Sequence, residues 1–285
     1  MKKNKREVNF ELIENCDLRN LNTLMDDIYS KKIDGVVIKD ALSSSMVDEI
    51  LKSLSTIDAE KYVNMKEGYY SFPKPFSYVD LNENLFEDSI STLCNEWNWL
   101  KQNSINLFSV DLIQEFVKIF SKITNANNVE IPKGYNGKGS YSPYTFRILS
   151  PNIGKFLLHV GNQFNITHSK LYDDLTTKVE VHNQLSFFFM INPPDKGGEL
   201  TVYDIEWDNV KKRVDDFTLE DIDGNIIHVD DRKKESFGLN KGDLLIFCGG
   251  ELWHRVEPVY GNKNRITLGG FLGYSKDKST LFFWS

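Results

Sequence analysis

The sequence predicts a mainly β protein with flanking helices, in which a sandwich or jelly roll follows a helical N-terminal region. From about residue 129 the chain is a series of short apolar runs separated by glycine and proline, with no helical pattern between them. Before that point, apolar residues recur mostly at helical spacing. Many short strands without intervening helices favour packed antiparallel sheets over a parallel sheet.

The N-terminal region, residues 1 to about 128, contains three elements that stand out. Asp34 and Gly35 lead into a short buried strand of valine and isoleucine, and the serines at 43–45 offer N-caps for a following helix. A second helix is predicted near 109–123, because its apolar residues share one face. These are Leu112, Phe116, Ile119 and Phe120.

The strands predicted after residue 129 begin or end at glycine or proline. They cover residues 143–149, 154–160, 184–191, 199–203, 244–247, 252–256 and 265–272. The first two flank a Pro-Asn-Ile-Gly turn, which predicts that they pair as a hairpin. We expect the whole chain, 1–285, to form a single domain.

One segment, residues 204–235, interrupts this series with 17 charged residues out of 32. The segment is interpreted either as a solvated surface insertion or as a mobile cover over the site, because long insertions in compact domains often serve as lids. The sequence does not decide between these two interpretations.

Composition excludes several classes of protein. The net charge of −7 argues against a nucleic-acid or membrane-surface binder, since either would need a positive field. The three cysteines, Cys16, Cys94 and Cys248, are far apart and form no CxxC pair, so neither a disulfide framework nor a thiolate zinc site is expected. No apolar run approaches the roughly 20 residues that span a bilayer. A cytoplasmic location is therefore expected.

Histidine is rare, and two of the five histidines lie inside apolar strands. His159 follows Phe-Leu-Leu and His254 follows Leu-Trp. A buried imidazole needs a partner for each ring nitrogen, and a metal ion is one such partner, although a hydrogen-bonded core histidine satisfies the same pattern. The remaining three are expected in loops or at the surface: His168, His182 and His228.

A cationic group and a hydroxyl follow His254 at a short distance. Arg265 and Thr267 are two residues apart on the next predicted strand, so both project from the same face. A guanidinium on that face grips a carboxylate with two parallel hydrogen bonds. The spacing therefore places a possible metal beside an anchor for a dicarboxylate.

Several motifs in the same order make the sequence similar to the iron(II)/2-oxoglutarate-dependent oxygenase superfamily. More narrowly, it resembles the freestanding aliphatic halogenases that act on alkaloids of the welwitindolinone and hapalindole type. The resemblance extends from about Ile131 to the end of the chain. The motifs are HVGNQF (159–164), GGELTVYDIEW (197–207), KGDLLIFCGGELWHRV (241–256), RITLGGFLGYS (265–275) and the terminal FFWS.

This resemblance implies a double-stranded β-helix (jelly-roll) core and a set of site residues. His159 and His254 correspond to the iron ligands, and Arg265 with Thr267 corresponds to the anchor of the distal carboxylate of 2-oxoglutarate. Arg147, a charge within an apolar strand, is either a further contact to the cosubstrate or half of a buried ion pair. Ser186 is either the serine that orients the reactive oxygen ligand in related halogenases or an ordinary strand hydroxyl.

Gly161 is the informative departure from the hydroxylases of this superfamily. They carry an acid two residues after the first histidine, which completes a 2-His-1-carboxylate triad. The glycine opens a coordination position that chloride would fill, and the HxG motif is typical of the halogenases that the chain resembles. The implied cofactors are Fe(II), 2-oxoglutarate, chloride and O2, and the implied reaction replaces an unactivated C–H by C–Cl or C–Br through a chloro-iron(IV)-oxo intermediate.

Two other functions remain compatible with the sequence. One is a 2-oxoglutarate-dependent hydroxylase or oxidase with a two-histidine iron site, and the other is a non-catalytic jelly-roll binding module. The expected partner is a freestanding small-molecule substrate. No nucleic acid, membrane or carrier protein is expected as a partner.

Overall fold

A computed structural model describes residues 7–14, 21–82, 84–167 and 169–285 of the chain. Cys16 and His168 lie outside these ranges, so the expectations about them are not addressed. The α-helices are α1 (Leu24–Tyr29), α2 (Ser44–Leu54), α3 (Phe86–Phe108), α4 (Leu112–Phe120), α5 (Asn162–Thr167) and α6 (Ser169–Thr176). No helix in these ranges is both long and apolar enough to cross a membrane.

Nineteen strands are found in the same ranges. The first nine are β1 (Phe10–Glu14), β2 (Gly35–Lys39), β3 (Val63–Lys66), β4 (Tyr69–Phe72), β5 (Asn128–Glu130), β6 (Thr145–Leu149), β7 (Phe156–His159), β8 (Leu185–Asn192) and β9 (Lys196–Gly197). The others are β10 (Leu200–Glu206), β11 (Val210–Arg213), β12 (Thr218–Asp221), β13 (Ile226–His228), β14 (Lys234–Phe237), β15 (Leu244–Phe247), β16 (Leu252–Val256), β17 (Val259–Tyr260), β18 (Arg265–Tyr274) and β19 (Thr280–Trp284).

Two sheets form the centre of the fold. The larger has ten strands, in the order β1-β2-β15-β8-β18-β6-β4-β3, with β19 attached to β18 and β5 attached to β19. The smaller has the order β14-β10-β16-β7. Along the chain β6, β8, β15 and β18 join the larger sheet, while β7, β10 and β16 join the smaller one. This repeated crossing between two sheets is the jelly-roll arrangement predicted from the sequence.

Helices cover one face of the larger sheet and leave its other face for a site. On β8, Phe187 and Phe189 pack against α4, with ring centroids 5.0 Å from Phe120 and 4.9 Å from Phe116 respectively. Because strand side chains alternate, Ser186 projects to the opposite face, towards the smaller sheet. The helical cover therefore determines which residues of β8 can reach a cavity between the sheets.

The predicted N-terminal elements are present. The strand after Asp34 is β2, and α2 begins after Ser43, whose hydroxyl accepts a hydrogen bond from the Met46 backbone nitrogen at 3.3 Å. The helix predicted near 109–123 is α4. Before residue 128 more residues lie in helices than in strands, yet β1 to β4 are part of the larger sheet. Since both regions share one sheet, we propose that the chain folds as a single domain.

Two predictions for the region after residue 129 are wrong. The strands on either side of the Pro-Asn-Ile-Gly turn do not form a hairpin, because β6 pairs with β4 and β18 whereas β7 pairs with β16. Residues 162–167 and 169–176 are helical (α5 and α6), although no helix was expected between the strands. The spacing of Leu171, Tyr172 and Leu175, all buried, is the local indication of α6 that the strand assignment overlooked.

The charged segment 204–235 has its own apolar support. Its strands β11, β12 and β13 form a separate sheet, and Leu219 and Val229 pack in a cluster with Trp253 and Leu158. Many of its charges are paired, as in Arg232 with Asp204 at 2.9 Å. No residue of the segment lines the cavity described below. The structure thus favours the surface-insertion interpretation over a cover.

Candidate active site

His159 and His254 are neighbours on two adjacent strands of the smaller sheet. They are paired residues of the antiparallel strands β7 and β16, and their ring centroids are 4.2 Å apart. Paired residues of neighbouring antiparallel strands project to the same side of a sheet, which here is the side of the larger sheet. Two strands that are distant in sequence therefore bring both imidazoles to one point.

A hydrogen bond to a backbone carbonyl fixes the orientation of each imidazole. The Nδ1 atom of His159 is 2.7 Å from the Leu157 carbonyl oxygen, and that of His254 is 2.7 Å from the Leu252 carbonyl oxygen. When Nδ1–H donates to a carbonyl, the lone pair of Nε2 is left for a metal, as is usual for metal-bound histidines.

Both imidazoles are neutral at physiological pH, the state that a metal ligand requires. Burial lowers the pKa of His159 to about 4. Burial, together with the neighbouring His159, also holds the pKa of His254 well below its ordinary value. Their donor chemistry fits a divalent transition metal that accepts imidazole nitrogen.

Among the residues that the structure describes, no carboxylate joins the two histidines. Within the described ranges, no group of three or more His, Cys, Asp or Glu side chains is placed to hold a metal ion. Gly161 stands where an acid would complete a triad, and its backbone nitrogen donates to the Gly249 carbonyl oxygen at 2.7 Å. A Cβ added at Gly161 would lie 3.0 Å from both that oxygen and the Gly250 Cα atom. The histidine pair therefore lacks a third protein ligand among the described residues. We call this missing ligand position its open side.

Arg265 is a buried cation that forms no salt bridge with any carboxylate in the described part of the chain. It is 3% exposed, its Nε donates to the Gly198 carbonyl oxygen at 2.7 Å, and its guanidinium lies over the Phe188 ring at 5.2 Å. Burial, and then the nearby Arg147, lowers its pKa to about 10, so it remains charged at neutral pH. A buried charge is costly unless it is paired. Its free donors are therefore suited to a bound anion.

The predicted neighbours of Arg265 lie beside it. Thr267 is buried and is the cross-strand partner of Arg147 on β6. The Nη2 atom of Arg147 donates to the Ser285 hydroxyl at 3.5 Å. In the described part of the chain, the arginines that form salt bridges are Arg232 and Arg255. The buried ion pair considered for Arg147 is therefore absent among these residues.

All seven predicted site residues line one cavity of about 280 Å³ between the two sheets. They are Arg147, His159, Gly161, Ser186, His254, Arg265 and Thr267. The other histidines that the structure describes, His182 and His228, are exposed and do not line it. The cavity therefore brings together an imidazole pair, the glycine beside it, and a buried arginine that is suited to an anion.

Sequence reasoning missed most of the cavity wall, which is largely aromatic. Tyr69 and Phe76 come from the N-terminal region, Phe164 and Tyr172 come from α5 and α6, and Phe271 comes from β18. In sequence they resemble ordinary core residues. Ser285 also lines the cavity, and its hydroxyl donates to Thr145 at 2.6 Å. Only the three-dimensional structure, in which these residues lie around one cavity, identifies them as part of its wall.

Comparison with protein families gives a match over nearly the whole chain. Residues 8–285 match the family described as carrier-protein-independent halogenase WelO5. A comparison with curated protein sequences gave no match.

Solved structures with the same fold include an N-substituted L-amino acid dioxygenase from Burkholderia ambifaria AMMD. Its complex with alpha-ketoglutarate has a TM-score of 0.56 and 15% identity, over 90% of this chain and 89% of that chain. Another structure of an N-substituted L-amino acid dioxygenase from that organism has a TM-score of 0.53 and 13% identity, over 92% and 91% of the two chains. At such identities the likeness concerns the fold, and it confirms the predicted jelly-roll class with flanking helices.

Proposed function

Because the chain belongs to the carrier-protein-independent halogenase WelO5 family, and is thus an iron(II)/2-oxoglutarate-dependent oxidoreductase, we propose that it halogenates a freestanding small molecule. The proposed reaction replaces an unactivated C–H bond by C–Cl or C–Br. The observation that carries this proposal is the open side of the imidazole pair at Gly161, where the described residues supply no acid.

His159 and His254 are the proposed iron ligands, each through Nε2. Their Nδ1 hydrogen bonds to strand carbonyls hold both rings in the required orientation. Bound iron, with dioxygen and 2-oxoglutarate, supplies the oxidising chemistry that attacks a C–H bond. The protein contributes two neutral ligands and a buried cavity.

Gly161 is proposed to leave one position beside the iron for a halide. A carboxylate here would bring both a ligand and a negative charge. Glycine brings neither, so an external anion is required to restore both. The glycine is held in place by its hydrogen bond to the Gly249 carbonyl oxygen.

Arg265 is proposed to bind the distal carboxylate of 2-oxoglutarate, with Thr267 beside it. The guanidinium is buried, charged and unpaired within the described residues, so a carboxylate would satisfy it. Arg147 lies close enough to lower the pKa of both Arg265 and His159. Arg147 is therefore proposed to contact 2-oxoglutarate at a point between Arg265 and the iron ligands.

The substrate is proposed to lie against the aromatic wall of the cavity. A small molecule fits a volume of about 280 Å³, and membership of a carrier-protein-independent family supports a substrate that is not attached to a carrier protein. Ser186 lines the same cavity and is proposed to donate a hydrogen bond to a ligand of the iron. Substrate placement then decides which carbon reacts.

Replacing Arg265 by alanine is expected to raise the 2-oxoglutarate concentration needed for half-maximal succinate formation roughly ten- to a hundredfold. The range follows from a hydrogen bond to a charged group, worth roughly 1.5–3 kcal/mol, at about 1.4 kcal/mol per tenfold. Arg232→Ala, which removes a partly buried arginine that does not line the cavity, should leave this requirement unchanged. An unaltered requirement in Arg265→Ala would assign the anchor to Arg147 instead.

The proposed reaction is tested by its halide dependence. The iron-loaded protein is incubated with 2-oxoglutarate and a metabolite extract in chloride, bromide or halide-free buffer, and the products are analysed by mass spectrometry. We expect chlorine isotope pairs in chloride and bromine isotope pairs in bromide. The same hydroxylated product in all three buffers would instead establish a hydroxylase with a two-histidine iron site.

A further inference from the structure

Gln184 is a buried amide directly beside Gly161. Its side chain is 0% exposed, and its Nε2 lies 3.3 Å from the position that a Cβ at residue 161 would occupy. Its Oε1 has no hydrogen-bond partner among the described residues. Buried polar groups in native proteins are nearly always hydrogen-bonded, so Oε1 calls for a donor such as water. Nε2 is the atom that lies beside Gly161, and an amide nitrogen carries two N–H donors, of which the bond to Tyr172 uses one.

Tyr172 connects this amide to the cavity. Gln184 Nε2 donates to the Tyr172 hydroxyl at 3.2 Å, and Tyr172 lines the cavity. Within the described part of the chain this is the one hydrogen bond of that hydroxyl. Its own hydrogen is therefore left to donate to an acceptor in the cavity.

The backbone holds the amide in a defined position relative to Gly161. The Gly250 nitrogen donates to the Gln184 carbonyl oxygen at 2.9 Å, and the Gly161 nitrogen donates to the Gly249 carbonyl oxygen at 2.7 Å. Residues 161 and 184 are thus both tied to the same pair of glycines. The main chain of Gln184 is thus fixed relative to Gly161, and the bond to Tyr172 holds the amide itself. A donor held in this way does not have to be reoriented when an anion binds.

We propose, on the basis of the halogenase function above, that Gln184 and Tyr172 are the hydrogen-bond donors that bind the halide beside Gly161. Gln184 donates through Nε2, which also holds the Tyr172 hydroxyl so that its hydrogen points into the same space. A halide that enters a buried cavity loses its water shell, and N–H and O–H donors compensate for that loss. Both residues are positioning residues for the reaction, since they select and hold the anion.

The test measures halide binding rather than turnover. Protein loaded with iron(II) and 2-oxoglutarate is titrated with chloride without oxygen, and the visible absorption band of the iron–2-oxoglutarate complex reports binding. Tyr172→Phe, which removes one donor to an anion, should raise the half-saturating chloride concentration roughly tenfold. Gln184→Glu keeps the side-chain shape but places a negative charge beside the halide, so the saturable response should be lost.

Tyr144→Phe is the matched control. It removes a buried hydroxyl that bonds to Ser104 away from the cavity, and the chloride response should stay at the wild-type value. Binding of 2-oxoglutarate, measured from the same band, should be unchanged in Tyr172→Phe. Should Gln184→Glu fail to fold, Tyr172→Phe decides the question alone.

Two different failures are distinguishable. Wild-type chloride affinity in Tyr172→Phe and Gln184→Glu would overturn the assignment of these donors and leave the halogenase function standing. A wild-type protein whose band does not respond to chloride or bromide would overturn the halogenase function, and the halide site with it.

Discussion

Changing His159 or His254 to alanine is expected to abolish iron binding and 2-oxoglutarate turnover. Each substitution leaves one imidazole, and the described residues offer no third side chain at the site to replace the lost ligand. The change removes a neutral ligand from the cavity and introduces no charge. Iron content after dialysis and succinate formation with 2-oxoglutarate are the two measurements.

His182→Ala and His228→Ala are the matched controls, because both histidines are exposed and lie outside the cavity. They should bind iron and form succinate as the wild-type protein does. Circular dichroism of each variant separates loss of the metal from loss of the fold. Undiminished iron affinity in His254→Ala would remove the basis of the proposed metal site.

Gly161→Asp is expected to lose chlorination by about a hundredfold or more, the scale of the rate loss when a reacting group is displaced by about 1 Å. The new carboxylate takes the position proposed for the halide and brings its own negative charge. Its Cβ would also lie 3.0 Å from backbone atoms of Gly249 and Gly250, so that segment must shift by a few tenths of an ångström. Hydroxylation of the same carbon is expected where the aspartate reaches the iron.

Gly161→Ala separates the two causes, because it adds the same Cβ without a carboxylate. We expect it to chlorinate more slowly than the wild-type protein but still in proportion to halide, whereas added chloride should not rescue Gly161→Asp. Products of the three proteins are compared by mass spectrometry in chloride and in halide-free buffer. Wild-type chlorination by Gly161→Asp would show that the halide binds elsewhere.

The enzyme class, the cofactors and the fold of this protein could be predicted from local sequence patterns. The iron(II)/2-oxoglutarate-dependent class, its cofactors and its jelly-roll fold were predicted from ordered motifs and are confirmed by the family and the fold. Side chains alternate along a strand, so the sequence alone puts Arg265 and Thr267 on one face. The structure brings them into one cavity with His159 and His254, while their roles in binding iron and cosubstrate stay predictions.

Tertiary structure alone decided which strands pair and which distant residues meet. Local periodicity does not specify a strand's partner, so the turn after β6 resembled a hairpin although the chain crosses there to the other sheet. Gln184 and Tyr172 carry no motif, and their hydrogen bond exists because α6 packs beside the start of β8. The absence of an acid at position 161 can be read from the sequence. The donors proposed for the halide, Gln184 and Tyr172, come from separate segments, and only the packed fold brings them close to Gly161.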